Sequence, residues 1–488
     1  MAKAQAGTFK IVLTNFGDGA GPLAHLDPLS ELGSAGSYSA ASNVDVISLP
    51  GKLQQGPGLA TLTSGDQSGA VGELINHILD TPVSSGITYG IAATKLHQIS
   101  ATAVTNTGSW PHSITGAVAG SSSIYFQGKL YYFFNKSGAG ECGTYDLSST
   151  FVDNYMSTVP TGAIALQIAP HPVATKQDLM LFGNGRYVGV FQSSTTTLND
   201  KRLDFGANAT IADVCFDSNA WWICVNQGTG VSTDRQYASI FQYDASATTS
   251  LLTDEIAVGA QKIGFIIAIE GIRYVAYQDL STAGGFAIGY IKGRGITPLK
   301  YFTGTLPTFA QKTLYLNTIL FLAAGLAYSC GAVEEKLPIQ ISQLGAGGYA
   351  TVGAIAAPFG TPMIASTDGG SNFKLAKFSG FTVSSTWRSM VIPVINENLK
   401  GFIDKIVVLT QTLGSSARCD LIVEGDQATK TGSTQQITTT GRRRHTFNSL
   451  GLTALEDFRI FLNWANGSTT NQVTVRRIEI SGHYVEQK

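Results

Sequence analysis

Apolar and polar residues alternate with a period of two along most of this chain, and short clusters of Gly, Asn and Asp interrupt the alternation. That period sends successive side chains to opposite faces of a β-strand, and the interruptions mark tight turns. Strand–turn–strand pairs recur at residues 87–99, 124–134 (Gln-Gly-Lys at the turn), 179–191 (Gly-Asn-Gly at the turn), 214–224, 264–276, 314–322 and 363–375. Their starting points are separated by about 46 residues on average, close to the ~40–50 of propeller blades, with uneven gaps that mark a degenerate repeat. A propeller hides its strand edges by closing four-stranded blades into a ring, whereas the same hairpins laid out as an open sandwich would leave edges bare. The pattern therefore predicts an all-β chain: a six- or seven-bladed β-propeller over residues 81–378, an N-terminal extended arm with the first strands over 1–80, and a C-terminal jelly-roll-like β-sandwich over 379–488. Segment 72–80, with Leu74, Ile75, Ile78 and Leu79, fits either a short helix or a strand.

The change of character near residue 380 sets the last boundary. The strands expected there are 387–395, 402–413, 419–424, 435–440, 458–464 and 473–485. Phe458, Ile460, Leu462 and Trp464 share one face, and Asp457, Arg459, Phe461 and Asn463 the other.

Composition narrows the role. Charged residues are only 13% of the chain, against a usual share of roughly 25%, while glycine numbers 55. Low charge with many turn residues suits a β-rich protein whose surface is covered by neighbours. A net charge of -1 gives no global field toward nucleic acid or anionic lipid, which argues against nucleic acid as the main partner. Five widely spaced cysteines (Cys142, Cys215, Cys224, Cys330 and Cys419) do not form a disulfide framework and suit a reducing compartment. The first ten residues hold no apolar signal core, and the most apolar run, 314–330, is shorter than the ~20 residues of a membrane span. The expectation is a cytoplasmic product without membrane insertion, with 314–330 as buried strands.

No catalytic or metal motif stands out. The seven histidines (His25, His77, His97, His112, His171, His445 and His483) make no HxH, HxxxH or HExxH spacing, and no nucleophile elbow, phosphate loop or calcium loop is present. Glu334-Glu335 reads as a solvated loop. A glycosidase needs two carboxylates at close range, which spacing in sequence does not reveal. The expectation is a protein that is not an enzyme and holds no cofactor or metal. Arg442-Arg443-Arg444-His445, extended by Arg476-Arg477, is the one dense basic cluster. It fits a solvated turn, a contact with an acidic neighbouring subunit, or a phosphate contact. Tyr131, Tyr132, Phe133, Phe134, Trp221 and Trp222 suit packing between blades or a sugar-stacking platform.

Two resemblances add to this reading. Ser366, Asp368, Gly370 and Phe373 resemble the Asp-box of sialidase-like propellers, in which the box is a structural hairpin; here Phe stands in place of the more usual Trp. The stretch NVDVISLPGKLQQGPGLATL carries Asn43, Asp45, Pro50, Gly51, Gly56, Pro57 and Gly58. It resembles a signature near the start of tailed-bacteriophage virion structural proteins, and the C-terminal TWRSMVIPV, KIVVLTQTL and RRIEISGHY resemble a sandwich found in such proteins. The resemblance implies a tail or head–tail junction protein assembled in a bacterial host. Its partners would be other virion proteins, copies of itself and, in some relatives, a host-surface glycan. A glycan-binding or glycan-cleaving propeller is the alternative.

Overall fold

The structure is a computed structural model. It describes residues 5–486 apart from 15, 17–37, 50, 63–71, 84–85, 229–236, 246–249, 258, 279–283, 324, 332–338, 344–350, 368–372, 383, 395–398, 427, 449, 453 and 465–469. The described chain is almost entirely antiparallel β. Its helical elements are a single turn at Tyr155–Thr158 and a 3-10 turn at Phe309–Gln311. Segment 72–80 contributes a short strand, His77–Ile78, and no helix.

Two compact units divide the chain: Thr61–Gly325 with Leu344–Lys377, and Met1–Ala60 with Leu326–Gln343 and Phe378–Lys488. The sequence-derived limits at 80 and 378 thus meet a different partition, in which residues 1–60 belong with the C-terminal strands.

The first unit is the propeller. Five four-stranded sheets follow in order, spanning residues 77–113, 117–152, 173–204, 209–257 and 262–303. The hairpin Lys312–Tyr315/Thr318–Ala323 comes next. The last blade is Thr351–Ala356, Met363–Thr367 and Phe373–Phe381, completed by the N-terminal strand Pro57–Thr61. That makes seven blade positions. Apolar layers lie between successive blades. Leu96, Leu130 and Tyr132 join the first and second; Tyr131, Phe133, Met180 and Phe182 the second and third. Leu181, Val188, Trp221 and Ile223 join the third and fourth; Trp222, Ile240, Ile266 and Val275 the fourth and fifth. Ile75, Ile78 and Ile99 pack on Ala354, Met363 and Leu375, which joins the first blade to the last and closes the ring. Adjacent aromatics therefore serve two layers at once, as strand alternation requires. Tyr131 to Phe134, Trp221 and Trp222 are all buried.

Tight turns drive the hairpins. Gln127-Gly128, Ser218-Asn219, Glu270-Gly271 and Leu316-Asn317 all have positive φ at both central residues, the geometry that matches strand twist.

The second unit is a two-sheet sandwich. One sheet orders Gln5–Leu13, Val475–Glu486, Leu399–Thr410 and Arg444–Phe447. The other has seven strands, led by Tyr38–Ser42, Thr386–Ser389, Asp457–Asn463 and Cys419–Gly425. Phe458, Ile460, Leu462 and Trp464 are fully buried, as their shared face predicts.

The signature stretch stitches the N-terminal segment into this sandwich. Asp45 Oδ1 accepts the Ile47 and Ser48 amides at 2.8 and 2.9 Å, and Oδ2 accepts Gln54 Nε2 at 2.9 Å. Asn43, in the left-handed region, donates from Nδ2 to the Ser384 carbonyl at 3.2 Å. Gln55 Nε2 donates to Thr382 O at 2.7 Å, and the Thr382 amide donates to Gly56 O at 3.0 Å. Gly58 lies where an added Cβ would meet the Ser379 carbonyl at 2.9 Å. Gly51 closes the intervening turn with φ 73°, Pro57 opens the strand that completes the last blade, and Pro50 is outside the described residues.

Candidate interaction face and axial cavity

The basic cluster lies on the first sheet of the sandwich. Directly paired residues of an antiparallel ladder point to the same face. Leu409 pairs with Arg444 on one side and Arg477 on the other, so the two arginines lie in one row, roughly 10 Å apart across a single strand. The same alternation adds Lys405 and Lys10, both paired with Ser481. A register shift between Leu409 and Thr410 skips Arg476, a bulge that turns it out beside Arg477 and leaves it exposed. Arg442 and Arg443 sit on the turn leading into the edge strand, with Arg443 Nε donating to Thr412 Oγ1 at 2.7 Å. Glu479 is the acidic counterweight, 3.0 Å from Arg477 and 3.5 Å from Lys10. His445 is on the opposite, buried face; burial and the nearby Arg442 push its imidazole below its ordinary value. The structure thus gathers five of the six predicted interface residues at one exposed surface and sends His445 inward.

Of the Asp-box-like hairpin, Ser366 is buried within its strand and Phe373 packs against the layer between first and last blades. Asp368 and Gly370 fall outside the described residues.

The propeller holds a feature that no sequence motif announced. The innermost strands of six blade positions wall a cavity of about 470 Å³. Its polar lining includes His77, Asp80, Thr175, Asp213, Cys215 and Lys312, with Phe216, Phe309 and Leu314 as the larger apolar side chains. Lys312 Nζ bonds to Asp213 Oδ2 and to the Ile266 carbonyl. Asp213 also accepts the Val214 amide at 2.9 Å and the Ile266 amide at 2.8 Å. Burial raises the proton affinity of Asp213, while Lys312 and the two amides oppose it. Asp80 Oδ1 accepts Thr313 Oγ1 at 2.6 Å and the Ala357 amide at 3.4 Å. Asp80 is reached by solvent from the cavity yet surrounded by protein, and that incomplete hydration holds its carboxyl up at about 6. His77 Nδ1 accepts the Ser123 amide at 3.2 Å, which places the proton of the neutral ring on Nε2; burial holds the imidazole down at about 4. The Cys215 thiol is pushed up by burial to about 12 and stays protonated.

No family model and no curated protein matches the chain. Several solved structures share its fold. The extracellular domain of the putative hybrid two component system BT4673 from B. thetaiotaomicron is 10% identical with a TM-score of 0.45, covering 81% of this chain and 48% of its own. The chain thus spans about half the length of that structure. The Neurospora crassa Pan2 WD40 domain is 8% identical with a TM-score of 0.43, covering 67% of this chain and 95% of its own. A glycoside hydrolase family 43 arabinoxylan arabinofuranohydrolase from Bacillus subtilis is 11% identical with a TM-score of 0.29, covering 85% of this chain and 96% of its own. No helix among the described residues is long and apolar enough to cross a membrane.

Proposed function

We propose that this chain is a non-enzymatic structural component of a phage virion, built into the tail or head–tail junction by contacts with acidic surfaces of neighbouring subunits, copies of itself included. The observation that carries this reading is the exposed basic face of the sandwich, where Arg442, Arg443, Arg444, Arg476 and Arg477 collect in a chain whose formal net charge is -1. Guanidinium groups match carboxylates in geometry, and exposed charge of one sign steers association. The resemblance of the Asn43–Gly58 stretch to virion proteins supplies the biological setting. The non-enzymatic part rests on the cavity: Lys312 and two amides occupy Asp213, so Asp80 is the remaining carboxylate able to act there, one fewer than most glycosidases use.

The test is the native mass of the purified chain by light scattering, with negative-stain images of the same fraction, for the natural protein and an R442E/R443E/R444E variant. A discrete assembly that dissociates in the variant, and in high salt, at an unchanged melting temperature is expected. A monomer at every concentration, or an assembly indifferent to the charge reversal, would count against the basic face. A monomer that binds saccharides on a glycan screen would favour the adsorption role.

A further inference from the structure

The axial cavity is one positive charge short. Lys312 and Asp213 neutralise one another. His77 is neutral near pH 7, and Cys215 remains a thiol. Asp80 is left as an uncompensated carboxylate, and its Oδ2 has no hydrogen-bond partner among the described residues, whereas Oδ1 has two. A carboxylate surrounded by protein calls for a cation. The engaged Oδ1 disfavours a two-point guanidinium, which uses both oxygens, and favours a single-point donor. A metal ion would need several ligating groups, and no three His, Cys, Asp or Glu side chains gather for one among the described residues. Phe216, Phe309, Ile267 and Leu314 supply an apolar wall suited to a short hydrocarbon stem, and the volume lies within the ordinary range of ligand sites, roughly 300–1,000 Å³.

We propose that the axial cavity binds a primary ammonium group, with its nitrogen donating to Asp80 Oδ2 and its alkyl stem against Phe216, Phe309 and Leu314. The group arrives on a free diamine or on the lysine side chain of a partner protein. This goes beyond the assembly reading and stands on different residues.

Calorimetric titration of the full chain with n-butylammonium tests it. Saturable one-to-one binding at pH 7.5 is expected, with no competition from 1-butanol, which has the stem without the charge. Asp80→Asn should weaken binding at least about tenfold. In the natural protein, affinity should rise about tenfold from pH 5 to pH 7 as a carboxyl near 6 ionises, while His77, already neutral, and Cys215, still a thiol, hold their charge across that window. That pH series decides the matter if the variant fails to fold. Absence of saturable binding, equal binding of 1-butanol, or an affinity flat with pH overturns the proposal. Comparing 1,4-diaminobutane with Nα-acetyl-lysine amide then distinguishes the two sources by the tighter ligand. Charge reversal at Arg442–Arg444 should leave this binding unchanged, so the two readings fail separately.

Discussion

At the scale of single residues, the most consequential contact is Lys312 with Asp213. Both are largely buried, with side chains 14% and 4% exposed. Removing one partner of such a pair strands the other charge. Lys312→Met should therefore destabilise the propeller by about 3–5 kcal/mol in urea titrations, and the double variant with Asp213→Asn should recover much of that loss. Histidines give the second residue-level expectation. Burial holds His97 and His171 down at about 4, so an unfolded chain takes up protons near pH 6.5 that the folded chain refuses until about 4. Stability should fall as the pH drops through that window, by on the order of 3 kcal/mol for each ring. Asp80 acts in the opposite sense: its raised carboxyl favours the fold below its ordinary value, and that contribution fades as the pH rises toward 6. Melting temperatures from pH 4 to 7 check the net slope, and His97→Gln should flatten it. None of the cavity chemistry was legible in the sequence. Asp80 and Thr313 are 233 residues apart and Asp213 and Lys312 are 99 apart, and only ring closure brings them together.

At the scale of elements, the repeat was legible and its unevenness now has a cause. The sequence anchors were not equivalent hairpins. Those at 124–134, 214–224, 264–276 and 314–322 are first-and-second strand pairs of their blades, whereas 87–99, 179–191 and 363–375 are second-and-third pairs. Mixing the two shifts the apparent spacing by a strand. What the alternation concealed is a recurrent break in the innermost strands. Register slips between Gly120 and Ser122, Ile211 and Asp213, Ile263 and Phe265, and Val352 and Ala354. Such bulges bend a strand and re-aim its side chains; one of them delivers Asp213 to the cavity. At two of them the skipped residue is a glycine pressed on neighbouring backbone. An added Cβ at Gly264 would lie 2.0 Å from the Pro307 carbonyl, and at Gly353 it would lie 2.3 Å from the Ile75 carbonyl. Gly264→Val should cost about 1–3 kcal/mol or more, read as a lowered melting temperature. A surface change such as Thr253→Val should leave it almost unmoved.

At the scale of the whole molecule, alternation and turn chemistry revealed both architectures but not which segments share a core, because strand pairing across hundreds of residues leaves no periodic trace. The sandwich takes one strand of each sheet from the N-terminal segment, Gln5–Leu13 and Tyr38–Ser42. Residues 379–488 alone should therefore lack a cooperative melting transition and sharp amide resonances, although composition marks them off as a domain. A folded, cooperatively melting fragment would show these N-terminal strands to be dispensable.

The same threading sets a timetable. Pro57–Thr61 emerges from the ribosome early but completes a blade whose other strands end at Phe381, and Gln5–Leu13 pairs with Val475–Glu486. At ~5–20 residues per second, the first strand made waits roughly half a minute or more for its partner. For that interval each nascent chain carries an unpaired edge. Neighbouring chains on one message, each holding such an edge, are the setting in which strands could be exchanged between copies rather than returned to their own.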